Sequence, residues 1–420
     1  MSQTIAIIGA GPAACTLAAL LAQQGKTPVV FDDGQRPEMI VGESLIPAVV
    51  PLLRKLGIEE RVAAISQHKP GVSFLHEMVP SIDFNFAPAA PYLPTYAYNV
   101  YRPTFDALLK ERAVELGAKF IPHRAQVQIG VPGGPREIEL EPASVEACPQ
   151  WEGRHPDLLV DATGRHRLFA QLLKLPTING PRDDIAYFAH YENFDMPKPA
   201  GQVLISRLQQ GWSWRIPLPE GKMSAGIVVN QERAKSLGAT PQERLENCLR
   251  SEPLLARASA NAQRVSPVAV YRNYQRIGSR ASGPGWVAIG DAFGFVDPML
   301  STGLFLAMEA ADQLASALAK HPRTAFARYE KAMRHWFEAW GNIVEYFYDG
   351  RIFSLYEAGY CMKLRRTNRL QMGLDRLLNK HIACMTAGAL TRAVRSRTLI
   401  STASRLLTVG VHRPEELAIR

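Results

Sequence analysis

Two glycines and a carboxylate, arranged as Gly9-Ala10-Gly11-Pro12-Ala13-Ala14 with Asp32 further on, have the types and spacing needed to hold a phosphate and a sugar. Gly9 permits a tight turn, Gly11 lets backbone approach a pyrophosphate, and Ala14 keeps a small side chain where a helix must pack closely on a strand. Asp32 stands about twenty residues after the turn, where a carboxylate accepts hydrogen bonds from a ribose. Glu43 and Ser44 lie at a loop-to-helix junction, where their oxygens can bond a polyol chain or an adenosine edge; Ser44 is equally suited to capping the helix. Arg102 stands at a helix entrance, placed for an anion or the edge of a polar ring, and Asp106 fits the first turn. Together these residues predict a dinucleotide site.

Elements must position them. Ile5 to Ile8 is a short apolar run, and Leu17, Ala18, Leu20 and Leu21 recur at helical spacing, so the chain opens as strand, tight turn and helix. A second strand, Pro28 to Phe31, delivers Asp32, and the helix N-terminus offers N–H groups and a positive dipole end to phosphates. Residues 49–62 and the stretch after Asp106 predict helices, the second closed by Gly117, and Val127 to Leu140 predicts a hairpin around Gly133-Gly134. Asp157 to Val160 is an apolar strand ending in Asp161-Ala162-Thr163-Gly164, small residues that let backbone lie against a ligand. From Ala186 to Asn230 four strand-like runs predict an antiparallel sheet, followed by a helical connection and a strand from Val268 to Tyr274. Gly285 to Gly303 reads as strand, Gly-Asp turn, Pro298 loop and then helix, and the chain beyond Phe326 is helical and aromatic-rich.

The expected fold class is α/β. A Rossmann-like dinucleotide-binding domain takes residues 1–75, 98–180 and 265–322, an inserted antiparallel β-sheet substrate domain takes 76–97 and 181–264, and a C-terminal helical region takes 323–420. A chain of 420 residues has room for two or three such domains. The five scattered cysteines, odd in number and without a Cys-x-x-Cys pair, point to reduced thiols in a cytoplasmic setting and away from a metal site or disulfide framework. No apolar run reaches membrane-spanning length, and no signal sequence is expected. The net charge of +9 is concentrated past Lys363, as a solvated face or as a docking surface for an acidic protein or anionic lipid. No nucleic-acid-binding motif accompanies it.

Four segments in this order, Gly9 to Ala14 with Asp32, Arg102 with Asp106, Asp161 to Gly164, and Gly290 to Gly303, resemble the FAD-binding fingerprints of flavoprotein monooxygenases with the hydroxybenzoate-hydroxylase type of fold. The resemblance implies noncovalent FAD, with Asp291 accepting from a ribityl hydroxyl and the N–H groups after Pro298, through Thr302 and Gly303, meeting the flavin ring. Gly42-Glu43-Ser44 and Trp212-Ser213-Trp214-Arg215-Ile216-Pro217 resemble the Gly-Glu-Ser and Trp-x-Trp-x-Ile-Pro signatures of flavin-dependent halogenases. Trp212 and Trp214 would then wall a substrate pocket, although aromatics at i, i+2 of one strand are equally core residues. Lys69 stands near the place where such halogenases carry the lysine that guides hypochlorous acid, whereas a lone loop lysine is ordinarily just solvated. Ser301-Thr302-Gly303 matches their chloride-holding segment.

The chain is shorter than most halogenases and its basic tail is unlike theirs. Its Gly42-Glu43-Ser44-Leu45-Ile46-Pro47 run, compact length and basic tail resemble at least as well the maturation flavoproteins that hydroxylate a tryptophan within a partner protein, en route to a tryptophylquinone cofactor. The implied chemistry starts from reduced FAD and dioxygen, which give an electrophilic flavin hydroperoxide, so the protein must exclude water and hold an electron-rich ring beside it. No second dinucleotide fingerprint is visible, so NAD(P)H binds transiently or a partner flavin reductase delivers the reduced cofactor. Hydroxylation of an aromatic ring, a protein-borne tryptophan included, is the first expectation. Halogenation of an indole, phenol or pyrrole with Lys69 as relay is the second, and a reductase of the geranylgeranyl-reductase type is the third. On the first expectation, Arg365, Arg366 and Arg369 would help dock a protein substrate.

Overall fold

The computed structural model describes residues 3–76, 79–272, 275–364, 369–406 and 413–419. Ile5–Ile8 is apolar throughout because both of its faces are covered, and all of its residues are buried. It pairs in parallel with Val29–Phe31 on one side and Leu158–Asp161 on the other. Around this trio a six-stranded sheet runs in the order Ser282–Gly283, Trp286–Ala288, Leu158–Asp161, Ile5–Ile8, Val29–Phe31, Lys119–Ile121. It is parallel except at the Ser282–Gly283 edge. The Pro12–Gln23 helix packs between the helices Thr302–Lys320 and Arg102–Glu115, and its buried Ala13, Ala14, Ala18 and Ala19 permit that close approach.

The second sheet has eight strands. Gln263–Arg264, Asp184–Glu192, Met223–Asn230, Gly211–Pro217, Val203–Leu208, Gly71–His76 and Val79–Asn85 follow one another, and Ala269–Arg272 pairs beside Asp184–Glu192. Pairing is antiparallel except where Val203–Leu208 runs parallel to Gly71–His76, the seam between two distant stretches of chain. This sheet takes up the chain at Gly71 and reclaims Ala269–Arg272, so the boundaries expected after residue 75 and at residue 265 both cut through it. Alternation along the strands gives each face its own core. Phe188, Trp212, Trp214, Val203 and Ile205 join the main core, while Tyr187, Ala189, Ile227 and Val229 pack with Leu245 and Leu249 of the Pro241–Ser251 helix.

Helices Ala325–Tyr348, Arg351–Leu364, Arg369–Thr386 and Val394–Leu406 complete the α/β fold. The third of these ends against the wall segment after Glu43, where Ala48 N donates to Ala387 O at 3.1 Å. Ser44 caps no helix. It bridges to Asn99, and the helical turn opens later, at Pro47, with Ile46 extended before it. Arg365 and Arg366, and the side chain of Arg369, lie outside the described residues. Among the described residues no helix is long and apolar enough to cross a membrane, and the cysteines are free thiols.

Candidate active site

A cavity of about 600 Å³ runs from the Gly9 turn to the Trp212 and Trp214 face of the second sheet. At the turn end Gly9 has a φ of 97°, and a Cβ there would lie 2.6 Å from Ala162 O, so the position is closed to any side chain. Gly11 is the opposite case: a Cβ on it would meet nothing within 4 Å, because it faces the cavity. Gly11 is also the N-cap residue of the Pro12–Gln23 helix and makes no side-chain cap bond, so the first-turn N–H groups point at space a phosphate can fill. Ala14, fully buried, packs as expected without lining the cavity. This glycine cradle beneath an uncapped helix fits a dinucleotide pyrophosphate.

Asp32 lines the same end. Its carboxylate accepts from Lys110 Nζ at 2.7 Å and Gly34 N at 3.1 Å, and pairs with Arg36 at 3.3 Å. Burial alone would raise its pKa, but the Lys110 bond, the Arg36 charge and the Gly34 N–H outweigh it and hold the group below the usual carboxylate range, as an acceptor. His123, Arg124, Arg165 and His166 also line the cavity. They form two adjacent pairs, one in the loop after Lys119–Ile121 and one on the short helical turn Gly164–His166, and carry no motif by which the sequence could reveal them. Asp161 is displaced from its expected role. It is fully buried, does not line the cavity, and accepts from Thr163 N at 3.0 Å, Thr163 Oγ1 at 2.6 Å and Phe169 N at 2.9 Å. It therefore staples the loop whose Ala162, Thr163 and Gly164 form the wall.

At the other end, Glu43, Ser44, Arg102, Asp291, Pro298, Leu300, Ser301, Gly303, Trp212 and Trp214 line the cavity together. Arg102 is less available than the sequence suggests. Asp106 grips its guanidinium through two bonds of 2.9 Å, and a third donor reaches Val41 O at 2.7 Å, so it fixes the loop before Glu43. Glu43 meets His190 Nε2 at 2.6 Å, both side chains buried; His190 lies far along the sequence and was not anticipated. Burial pushes Asp291 up to about 6, against the charges of Arg165 and Arg102. Thr302 does not line the cavity; its hydroxyl is buried and donates to Asp297 O at 3.2 Å. Leu300 and Ser301, with φ of 67° and 59°, carry the wall past it in the left-handed region.

Lys69 is not a solvated loop residue. It ends the strand Ser66–Lys69, is 3% exposed, and donates from Nζ to Ser44 Oγ and Leu45 O, each at 2.8 Å. Burial pushes its pKa down to about 7. It reaches the cavity through Ser44 and does not itself line it. Each of the two tryptophans lines the cavity and each is buried in the main core, their rings 5.8 Å apart.

The family profile described as tryptophan halogenase matches residues 4–92 and 89–352. A tryptophan 2-halogenase of Chondromyces crocatus is 29% identical over 366 residues, covering 83% of this chain and 68% of that protein. A 1H-pyrrole-2-carbonyl-[peptidyl-carrier protein] chlorinase of Pseudomonas fluorescens is 26% identical over 386 residues, with 82% and 83% covered. Among solved structures, a flavin-dependent brominase matches with a TM-score of 0.75 at 24% identity over 96% of this chain and 99% of its own. A flavoprotein/dehydrogenase from Cytophaga hutchinsonii matches at 0.80 and 21% identity, over 97% and 99%. These two structural matches bear on the fold.

Proposed function

The chain belongs to the tryptophan halogenase family, and from that premise we propose that it binds FAD noncovalently and oxidises an electron-rich aromatic ring, by halogenation of an indole, phenol or pyrrole. The observation that carries this is the cavity joining the Gly9 and Gly11 turn to the Trp212 and Trp214 face, in a chain whose relatives described above carry halogenase names; Lys69 stands behind its wall at Ser44. The relatives favour this order over the hydroxylation that the sequence puts first, since those described above carry halogenase names.

The Gly9 and Gly11 turn would hold the pyrophosphate, Asp32 a ribose, Asp291 the ribityl chain, and the run from Pro298 to Gly303 the ring edge. Bound in its reduced form, the flavin supplies with dioxygen an electrophilic oxidant. A partner flavin reductase is the source of reduced cofactor that fits a chain with one dinucleotide turn; direct use of NAD(P)H is the alternative. That oxidant would convert halide to hypohalous acid; near neutral pH Lys69 divides between its two forms, and only the neutral amine has a lone pair at Nζ that could take up the halogen, one N–H proton and the hypohalous hydroxyl leaving as water, before the ring takes the halogen in turn. Ser44 Oγ and Leu45 O hold that nitrogen in one place. Trp212 and Trp214 exclude water from the ring end, which keeps the oxidant from being lost.

The test supplies the protein with enzymatically reduced FAD, air and bromide, and offers tryptophan, a phenol and a pyrrole as probes. A product with bromine's isotope doublet, absent without halide, is expected. Halide-independent gain of oxygen would overturn halogenation.

One observation favours a second reading, hydroxylation of a tryptophan presented by a partner protein, as in tryptophylquinone maturation. Lys69 donates into the wall and does not line the cavity, so no lysine stands among the lining residues to relay a halogen. Arg376, Lys380, Arg395 and Arg405 are exposed on the C-terminal helices, where a protein substrate could dock. On that reading Lys69→Ala leaves oxygen insertion intact. Turnover that ignores oxygen would point to the reductase reading.

A further inference from the structure

Behind the cavity wall a buried run of polar contacts joins three parts of the molecule that are far apart in sequence. Trp212 Nε1 donates to the Tyr348 hydroxyl at 3.0 Å, and that hydroxyl lies 3.1 and 3.3 Å from the two oxygens of Asp297. Asp297 also accepts from Gln275 Nε2 and Met299 N, each at 2.9 Å, and its own carbonyl receives the Thr302 hydroxyl. Asp297 and Thr302 are fully buried and Trp212 is 2% exposed. Asp297 immediately precedes the loop of Pro298, Leu300, Ser301 and Gly303 that lines the cavity. Two non-glycine residues of that loop sit at positive φ, a conformation that persists only where neighbours impose it.

Tyr348 is itself placed from the far side. Arg182 stacks on its ring at 3.9 Å and donates to Ile419 O at 3.0 Å, while Ile419 N donates to Tyr348 O at 2.8 Å. The C-terminal segment thus braces the residue whose hydroxyl stands between the tryptophan wall and the loop.

We propose that Tyr348 is a positioning residue whose hydroxyl locks the Trp212 indole to the 297–303 loop, so that the substrate wall and the flavin-edge loop keep one relative geometry. The proposal rests on the reading of this cavity as an FAD site. The Tyr348 hydroxyl donates to the Asp297 carboxylate, whose pKa burial raises to about 7 against the bonds from Met299, Gln275 and Tyr348. Asp184 adds to the rise, and the cation of Arg182, itself paired with Asp184, faces the same group. Removing the hydroxyl takes away one bond that favours the ionised form, so Asp297 should titrate higher.

The experiment uses the full chain loaded with FAD and compares wild type with Tyr348→Phe, which keeps the ring, the Arg182 stack and the backbone bond to Ile419. The readout is the visible circular dichroism of bound flavin, followed from acid to alkaline pH. Wild type should show a transition near neutrality; Tyr348→Phe should show an altered spectrum and a higher midpoint, with FAD affinity within about twofold because the Gly11 end is untouched. Trp212→Phe, which removes the indole donor from the other side, should alter the spectrum in the same direction and serves if Tyr348→Phe fails to fold. Variants that bind FAD and reproduce the wild-type spectrum and midpoint would overturn the positioning role while leaving the FAD reading intact. A wild-type chain that takes up no FAD would remove both.

Discussion

At its turn end the cavity's phosphate cradle is backbone from one run of chain, Gly9 to Ala13, whereas at its ring end Glu43, Trp212 and Pro298 arrive from separate segments, with Lys69 and Tyr348 braced behind them. The first end needs only glycines at set intervals, a strand before and a helix after, because its donors are main-chain N–H groups. The second depends on which strands and helices meet: Lys69 reaches Ser44 through the pairing of Ser66–Lys69 with Ala97–Val100, and Glu43 reaches His190 across to the other sheet. A site made of backbone is encoded locally; a site made of side chains is encoded in tertiary pairing.

The largest effect expected belongs to the ring end. Lys69→Ala should lower halogenated product by at least ~10²-fold, a typical size for the loss of a catalytic amine or base, while flavin reoxidation, followed by absorbance, continues. Wild-type product formation should rise with pH through about 7, since the reactive neutral amine of Lys69 gains population above its pKa. Undiminished halogenation in Lys69→Ala would break the comparison by showing that the ring end does not depend on this side chain.

The turn end should fail in a different way. Gly9→Ala forces a Cβ to 2.6 Å from Ala162 O at a φ of 97°, and left-handed strain plus overpacking should cost about 2–5 kcal/mol of stability, seen in thermal or denaturant unfolding. Gly11→Ala should cost less than about 1 kcal/mol, since its Cβ meets no protein atom within 4 Å and only the weaker N-cap preference of alanine is lost. Equal losses in the two variants would mean that Gly11 serves the fold and not a ligand.

Smaller effects sharpen the contrast. Glu43→Gln removes the charge from the buried bond to His190, 2.6 Å long, and should cost about 1–2 kcal/mol, measured by denaturant unfolding. Lys110→Ala removes a partner of Asp32 that is 42% exposed, so its effect on stability should stay within about 1 kcal/mol and shrink further in high salt.

What was legible follows the same division. The opening strand, turn and helix, the hairpin, the four strands of the second sheet and the Asp32 placement all rest on local pattern, and the chain folds accordingly. Legibility ended where one residue's duty is set by a distant one. Asp161 reads as a ligand contact but turns inward to Thr163 and Phe169, because its strand ends beneath a loop that needs those acceptors. Arg102 reads as a contact for an anion or a polar ring edge but is held by Asp106 and Val41 O. His190 and Tyr348 carried no signal, since each is one residue in a strand or helix whose partner lies more than a hundred positions away. Hydroxylation and halogenation were left in the wrong order for a related reason: both readings call on the same cavity, and the halogenase signatures at Gly42-Glu43-Ser44 and Trp212 to Pro217 mark its walls and not its chemistry.

The claim that the glycine turn and the cavity beyond it hold FAD is tested most directly by the visible absorbance of wild-type and Gly11→Val protein after reconstitution with FAD and gel filtration. The account predicts a flavin spectrum that travels with the wild-type chain and is absent from Gly11→Val, with the FAD-free forms of both proteins unfolding cooperatively and only the wild type gaining thermal stability when FAD is added. A Gly11→Val protein that keeps its flavin would contradict it.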